Sequence, residues 1–304
     1  MLLEIGLRLN AGFLRWQGYT ALSASFVGLL VINFTAPAAP TPISPRVWRA
    51  LTLTAAYYYA DVRLQRSAIS RRNRALHRAG SLFAYCGTLA LSGWLFVELQ
   101  PPWVAASWAA LAFATLAVAS RQLRHDFLHQ AFLLVLAVVF RMLTYNFFQS
   151  DPVDVSFWRS QQYYSGVAIA LLFAALPLAF ALRRSRLGAT SGFVLDAYPE
   201  QVFFFVPFGL LTALVALESS RGQLTVAWGV EGLATFLFAL WVGERSFRLA
   251  GLGLLLVCVA KIFLVDVWGL DPQSRYITLI VLGAALVLVS FLYTRHKEKF
   301  RQYL

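Results

Sequence analysis

VAWGVEGLATFLFALWVGERSFRLAGLGLLLVCVAKIFLVDVWGL, residues 226–270, decides the fold. It reads as two long apolar helices joined by a short charged hairpin, GERSFR. Each helix carries charge where a lipid-exposed helix has none: Glu231 in the first, Lys261 in the second, and Asp266 a turn further on. A charge at bilayer depth costs roughly 2.5–3.5 kcal/mol on insertion scales unless it is paired or hydrated. The hairpin therefore predicts membrane helices with internal polar chemistry.

Composition extends that reading to the whole chain. Hydrophobic residues make up 59% and charged residues 13%, with a mean hydropathy of +0.65; soluble domains carry about 25% charged residues. Apolar runs of bilayer-spanning length recur with no Gly/Ser-rich linker between them. The fold class is all-α, a polytopic helix bundle with about ten spans: 17–34, 47–61, 79–98, 103–120, 126–148, 163–182, 201–218, 223–242, 247–268 and 276–294. The leader MLLEIGLRLNAGFLRW has Glu4 in its head and no small-residue cleavage site, so it reads as an interfacial helix or an extension of the first span.

Orientation follows from Lys and Arg. With the N-terminus inside, the inner segments hold 19 of the 26 basic residues, including Arg63, Arg66, Arg71, Arg72, Arg74, Arg78, Arg183 and Arg184. The outer side holds only Arg46, Arg49, Arg159, Arg221 and Arg275, while Arg141 and Lys261 lie within spans. Both termini are expected in the cytoplasm. The net charge of +12 then reads as a positive-inside surface, with Arg71, Arg72, Arg74, Arg183 and Arg184 against lipid headgroups, and no nucleic-acid partner is expected.

An ungapped internal repeat appears at an offset of 120 residues: Trp108 falls on Trp228, Thr115 on Thr235, Phe127 on Phe247, Arg141 on Lys261 and Asn146 on Asp266. The matched helices run in the same direction, so the repeat is parallel. It divides the chain into an N-terminal helix pair with a basic loop (1–78) and two four-helix segments, 79–200 and 201–304. Spans one and two resemble the end of an earlier copy.

WGVEG, KIFLVDVWGL and the closing FLYTRHKEK resemble the C-terminal end of a bacterial family of predicted membrane proteins, domain of unknown function 2339. The resemblance is specific over 223–295 and rests on Trp228, Glu231, Lys261, Asp266, Gly269 and Leu270. Compared with that family the chain is short and lacks most of the N-terminal half. The resemblance implies a membrane location and no known activity; the bacterial cytoplasmic (inner) membrane is the expected one.

Glu231, at roughly 13 Å from the outer surface, and Lys261 and Arg141, at roughly 10 Å, form an intramembrane charge layer with Asp266 beyond it. An ion pair between Glu231 and Lys261 is expected. Such a pair either fixes helix register or lines a polar cavity for an anionic headgroup or a proton, and Lys261 could also snorkel outward. Glu98, Asp151 and Asp154 are the candidate partners of Arg141. His125 and His129 stand at metal-ligand spacing, but no Glu or Cys completes a site, so no metal or other cofactor is expected. Cys86 and Cys258 read as packing residues. Catalytic motifs are missing from the sequence. Two functions remain: a non-enzymatic scaffold or subunit packed against other membrane proteins, or a transporter or lipid-handling protein using the outer-half charges.

Overall fold

Prolines and left-handed residues set the helix boundaries. Pro101 and Pro102 precede one helix, and Pro177 opens another after a break at Ala175, because proline supplies no N–H to a preceding turn. The computed structural model describes residues 2–33, 45–67, 74–149, 160–185, 187, 194–219 and 221–266, with single positions at 280 and 287. Every element among them is helical: α1 (Leu2–Arg8), α2 (Gly12–Gly28), α3 (Pro45–Arg66), α4 (Arg74–Glu98), α5 (Trp103–Gln122), α6 (His125–Arg141), α7 (Gln161–Ala174), α8 (Leu176–Arg184), α9 (Val194–Ala197), α10 (Pro199–Glu218), α11 (Arg221–Val242) and α12 (Arg245–Lys261).

Among the described residues seven helices are long and apolar enough to cross a membrane: α4, α5, α6, α7 with α8, α10, α11 and α12. The sequence expected about ten. The first two expected spans coincide with α2 and α3, which are helical but outside the seven. α3 carries Arg46, Arg49, Asp61, Arg63 and Arg66 along its length, which lowers its apolar content. The tenth expected span, 276–294, lies outside the described residues apart from positions 280 and 287.

The chain forms two compact units, Met1–Leu210 and Leu211–Leu304. In the first, α1 packs on α2, α3 on α4, and α5 on both α6 and α7. Alanines let these helices approach: Ala105, Ala109, Ala112, Ala119, Ala131, Ala168 and Ala179 are all fully buried. Close approach of small residues is how apolar helices gain contact energy in lipid, where burial removes no water. Leu116, Leu128, Met142 and Leu172 fill the space between them. In the second unit α11 and α12 form a tight antiparallel hairpin. A Cβ at Gly251 would sit 2.7 Å from the Phe236 nitrogen and 2.9 Å from the Gly232 oxygen.

Three segments share one local plan. A residue with positive φ (Asn10 at 52°, Leu123 at 53°, Gly243 at 84°) ends one helix. One residue later an extended N-cap begins a helix of 17 residues, and each of these (α2, α6, α12) runs into a five-residue π turn. The turns are Leu29–Asn33, Met142–Asn146 and Ile262–Asp266. The second and third segments are 120 positions apart at every boundary, and the first and second 113. Small buried residues recur at matching places, as Gly6, Ala119 and Ala239 before the turn and as Gly18, Ala131 and Gly251 after it.

Candidate functional site

The intramembrane charges take different partners from those expected. Thr212 Oγ1 donates to Glu231 Oε1 at 2.7 Å, and Lys261 Nζ donates to the hydroxyl of Thr225. No ion pair joins Glu231 to Lys261 among the described residues. The hairpin's register explains the difference. Lys261 lies 18 residues past Gly243 and Thr225 lies 18 before it, whereas Glu231 lies only 12 before. Six residues of helix place Glu231 about 9 Å deeper than the level of Lys261.

Glu231 is 9% exposed, and its second oxygen, Oε2, is buried without a hydrogen-bond partner. Just outward, Trp228 Nε1 donates to the Thr212 carbonyl at 3.2 Å, so α11 holds the start of this unit by both the backbone and the hydroxyl of one threonine. The same bond occurs in the first unit, where Trp108 Nε1 donates to the Ser92 carbonyl at 2.9 Å. There Leu111 stands in the place of Glu231.

Arg141 also departs from expectation. Its Nη2 donates to the Pro101 carbonyl at 3.0 Å, and its guanidinium lies 4.0 Å from the Tyr145 ring centroid and 5.7 Å from that of Phe96. Backbone and aromatic faces replace a carboxylate here. Glu98 forms no ion pair among the described residues, and Asp151 and Asp154 lie outside them. Asp266 closes the third π turn, and its side chain is outside the described residues, as are those of Arg71, Arg72 and Arg74.

The densest polar chemistry sits at the other end of the first unit, the end where basic residues accumulate. Asp61, fully buried near the end of α3, receives both arms of Arg124 from the α5–α6 turn, at 2.6 and 2.9 Å. The same guanidinium reaches Asp126 at 3.0 Å, and Asp126 accepts from Ser81 of α4 at 2.8 Å. Burial pushes the Arg124 guanidinium down, but the hydrogen bonds and charge of Asp61, and then of Asp126, hold it above its ordinary value. One turn thus ties α3, α4 and α6 together.

Two further pairs extend this layer. Arg183 Nη1 donates to buried Glu200 at 2.8 Å, while Arg184 is exposed. His129 Nε2 lies 2.9 Å from Asp196. His125 instead meets the Leu187 carbonyl at 2.8 Å, so the two histidines do not aim at a common point. Deeper in the bundle, Tyr58, Thr88 and Gln130 form a hydrogen-bonded chain across α3, α4 and α6.

Sequence reasoning passed over Asp61, Asp126, Asp196, Glu200 and the Tyr58–Thr88–Gln130 chain. One signal was present: these four acids lie on the side where basic residues accumulate, and an acid at the edge of an apolar span there needs a cation. The pairing itself needs the fold, since Asp61 and Arg124 stand 63 positions apart.

A model of the family described as Predicted membrane protein (DUF2339) matches residues 1–296. The similarity therefore runs through the N-terminal segments as well as the closing hairpins. No curated protein and no solved structure matches the chain.

Proposed function

The chain belongs to the DUF2339 family of predicted membrane proteins, and from that premise we propose that it is a non-enzymatic scaffold or subunit of a larger complex in the bacterial inner membrane. Both termini lie in the cytoplasm on this reading, and Arg184, with the basic loop around Arg71 and Arg72, faces anionic lipid. The observation that carries it is an open apolar seam on the second unit. Val226, Val230, Leu233 and Leu237 are each at least half exposed on α11, at a spacing of four, three and four residues. Leu249, Leu252 and Leu256 present a similar row on α12.

Gly229 and Gly253 stand beside these rows with nothing within 4 Å of where a Cβ would be. Glycine inside a helix costs about 0.5–1 kcal/mol relative to alanine, and in membranes that cost is recovered where another helix packs closely. Lipid alone asks for no such gap. The charged residues of the first unit support the same reading, because Asp61, Glu200 and Asp196 are each engaged by a basic side chain from another segment. We also read the matched segments as a parallel internal repeat, which gives the scaffold a modular build.

The test is photo-crosslinking from Val230 and Leu233 in native membranes, one position at a time. Discrete protein adducts at both positions are expected, with none from exposed Leu136 of the first unit. Lipid adducts alone would remove the scaffold reading. A second reading, a transporter or lipid-handling protein using Glu231, Lys261 and Arg141, is favoured by the unsatisfied oxygen of Glu231.

A further inference from the structure

We propose that Glu231 is a proton-binding site inside the bilayer, occupied at neutral pH, so that the side chain is a carboxylic acid bonded through one oxygen to Thr212. The proposal holds whether the chain is a scaffold or a carrier.

Position supplies the first argument. Glu231 lies eight residues into a span that begins at Gln223, about 12 Å along the helix, and is nine-tenths buried. An ionised carboxylate there needs a cation or several donors. It has one neutral donor, the Thr212 hydroxyl, and Oε2 is buried with none. A proton removes the charge by adding to Oε2, water or hydronium supplying it, and leaves Oε1 as the acceptor that Thr212 requires.

The neighbours supply the second argument. α10 contributes Thr212, and α12 contributes Cys258, which lies near both Glu231 and Lys261. Lys261 donates to Thr225, further out, and the other cations of this hairpin's second span, Arg245 and Arg248, stand at its opposite end. Among the described residues no Lys or Arg comes within ion-pair distance of either Glu231 oxygen.

The third argument is comparison within the molecule. The α5–α6 hairpin makes the same tryptophan-to-carbonyl bond with Leu111 where α11 has Glu231. Hairpin packing therefore does not require an acid at this place.

The full chain in lipid nanodiscs, examined by infrared difference spectroscopy between wild type and Glu231→Gln, tests this. The expected spectrum shows loss of one neutral carboxylic C=O stretch at neutral pH, with a shift on exchange into D2O that marks its proton as exchangeable. Thr212→Val should move the band upward, because the carbonyl loses its hydrogen bond, and this arm does not depend on the glutamine variant folding. Lys261→Met should leave the band in place. Loss of carboxylate bands instead of the C=O stretch, or a band that appears only when Lys261 is removed, would overturn the proposal.

Discussion

Arg124 shows how one side chain can join three helices. It is a residue of the turn, 17% exposed, and it faces an Asp61 side chain that is 1% exposed. Removing one member of a buried pair leaves the other uncompensated and costs about 3–5 kcal/mol, whereas replacing both with apolar groups is often neutral. Arg124→Gln should therefore lower the thermal stability of the detergent-solubilised protein sharply, and Asp61→Leu with Arg124→Met should recover most of it; equal loss in the double variant would mean the pair is not the cause. At the N-terminus, hydrogen bonds from Arg63, opposed by partial burial and aided by Arg8, hold the Glu4 carboxyl below its ordinary value. A lowered carboxylate stabilises its folded contacts above the ordinary glutamate range and loses that contribution as pH falls through the lowered value. The protection factors of the α1 amides, taken against the intrinsic exchange rate at each pH, should accordingly fall on acidification below that range, and Glu4→Gln should show reduced protection without that pH dependence. Both acids are visible in the sequence as charges beside apolar runs, but their partners lie 63 and 59 positions away. Charge complementarity alone could not choose among so many arginines.

At the scale of elements, the hairpins were legible because their apolar lengths match a bilayer and short charged turns separate them. Their registers were not. Glu231 and Lys261 looked level when depth was counted from loop ends, yet the turn at Gly243 and the close contact at Gly251 set the two helices so that Thr225 faces Lys261. Gly251 is where that register is most sensitive. A Cβ there meets backbone rather than the movable end of a side chain, so neither helix can yield locally. Overpacking of this kind costs about 1–3 kcal/mol, and Gly251→Leu should destabilise the hairpin by at least that much. Ala131→Leu, at the matching place in the first unit, should also destabilise, since Ala131 is fully buried; measuring both by thermal unfolding in detergent tests whether the two hairpins are built to one plan. The π turns had no distinctive sequence signal, since LLVIN, MLTYN and IFLVD share only two large apolar opening residues and a polar last one.

For the whole molecule, membrane class followed from composition and the all-helical architecture from the length of the apolar runs, since helices and closed barrels both satisfy backbone polar groups in lipid but only helices need runs of about 20 apolar residues. The count of spans differs where basic residues enter a helix, as in α3. With Cys86 and Cys258 replaced by alanine, a cysteine at exposed Leu123 should react with an impermeant thiol reagent only from the cytoplasmic face, and one at exposed Gln100 only from the opposite face. Labelling of Leu123→Cys from outside would invert the entire reading.

The spacing of the three π turns has a consequence for how such a chain can change length. On the repeat we propose, the period of 120 residues from the second π turn to the third contains an even number of crossings, α7 with α8, α10, α11 and α12. Gain or loss of a period then returns the chain to the side from which it left, and every downstream loop keeps its face and its positive charge. A change of half that size, one hairpin, also preserves sidedness but separates the tryptophan on α5 or α11 from the carbonyl it holds on the preceding helix. Lengths among relatives should therefore cluster in whole periods, and a relative differing by a single span should show reversed charge asymmetry beyond the insertion.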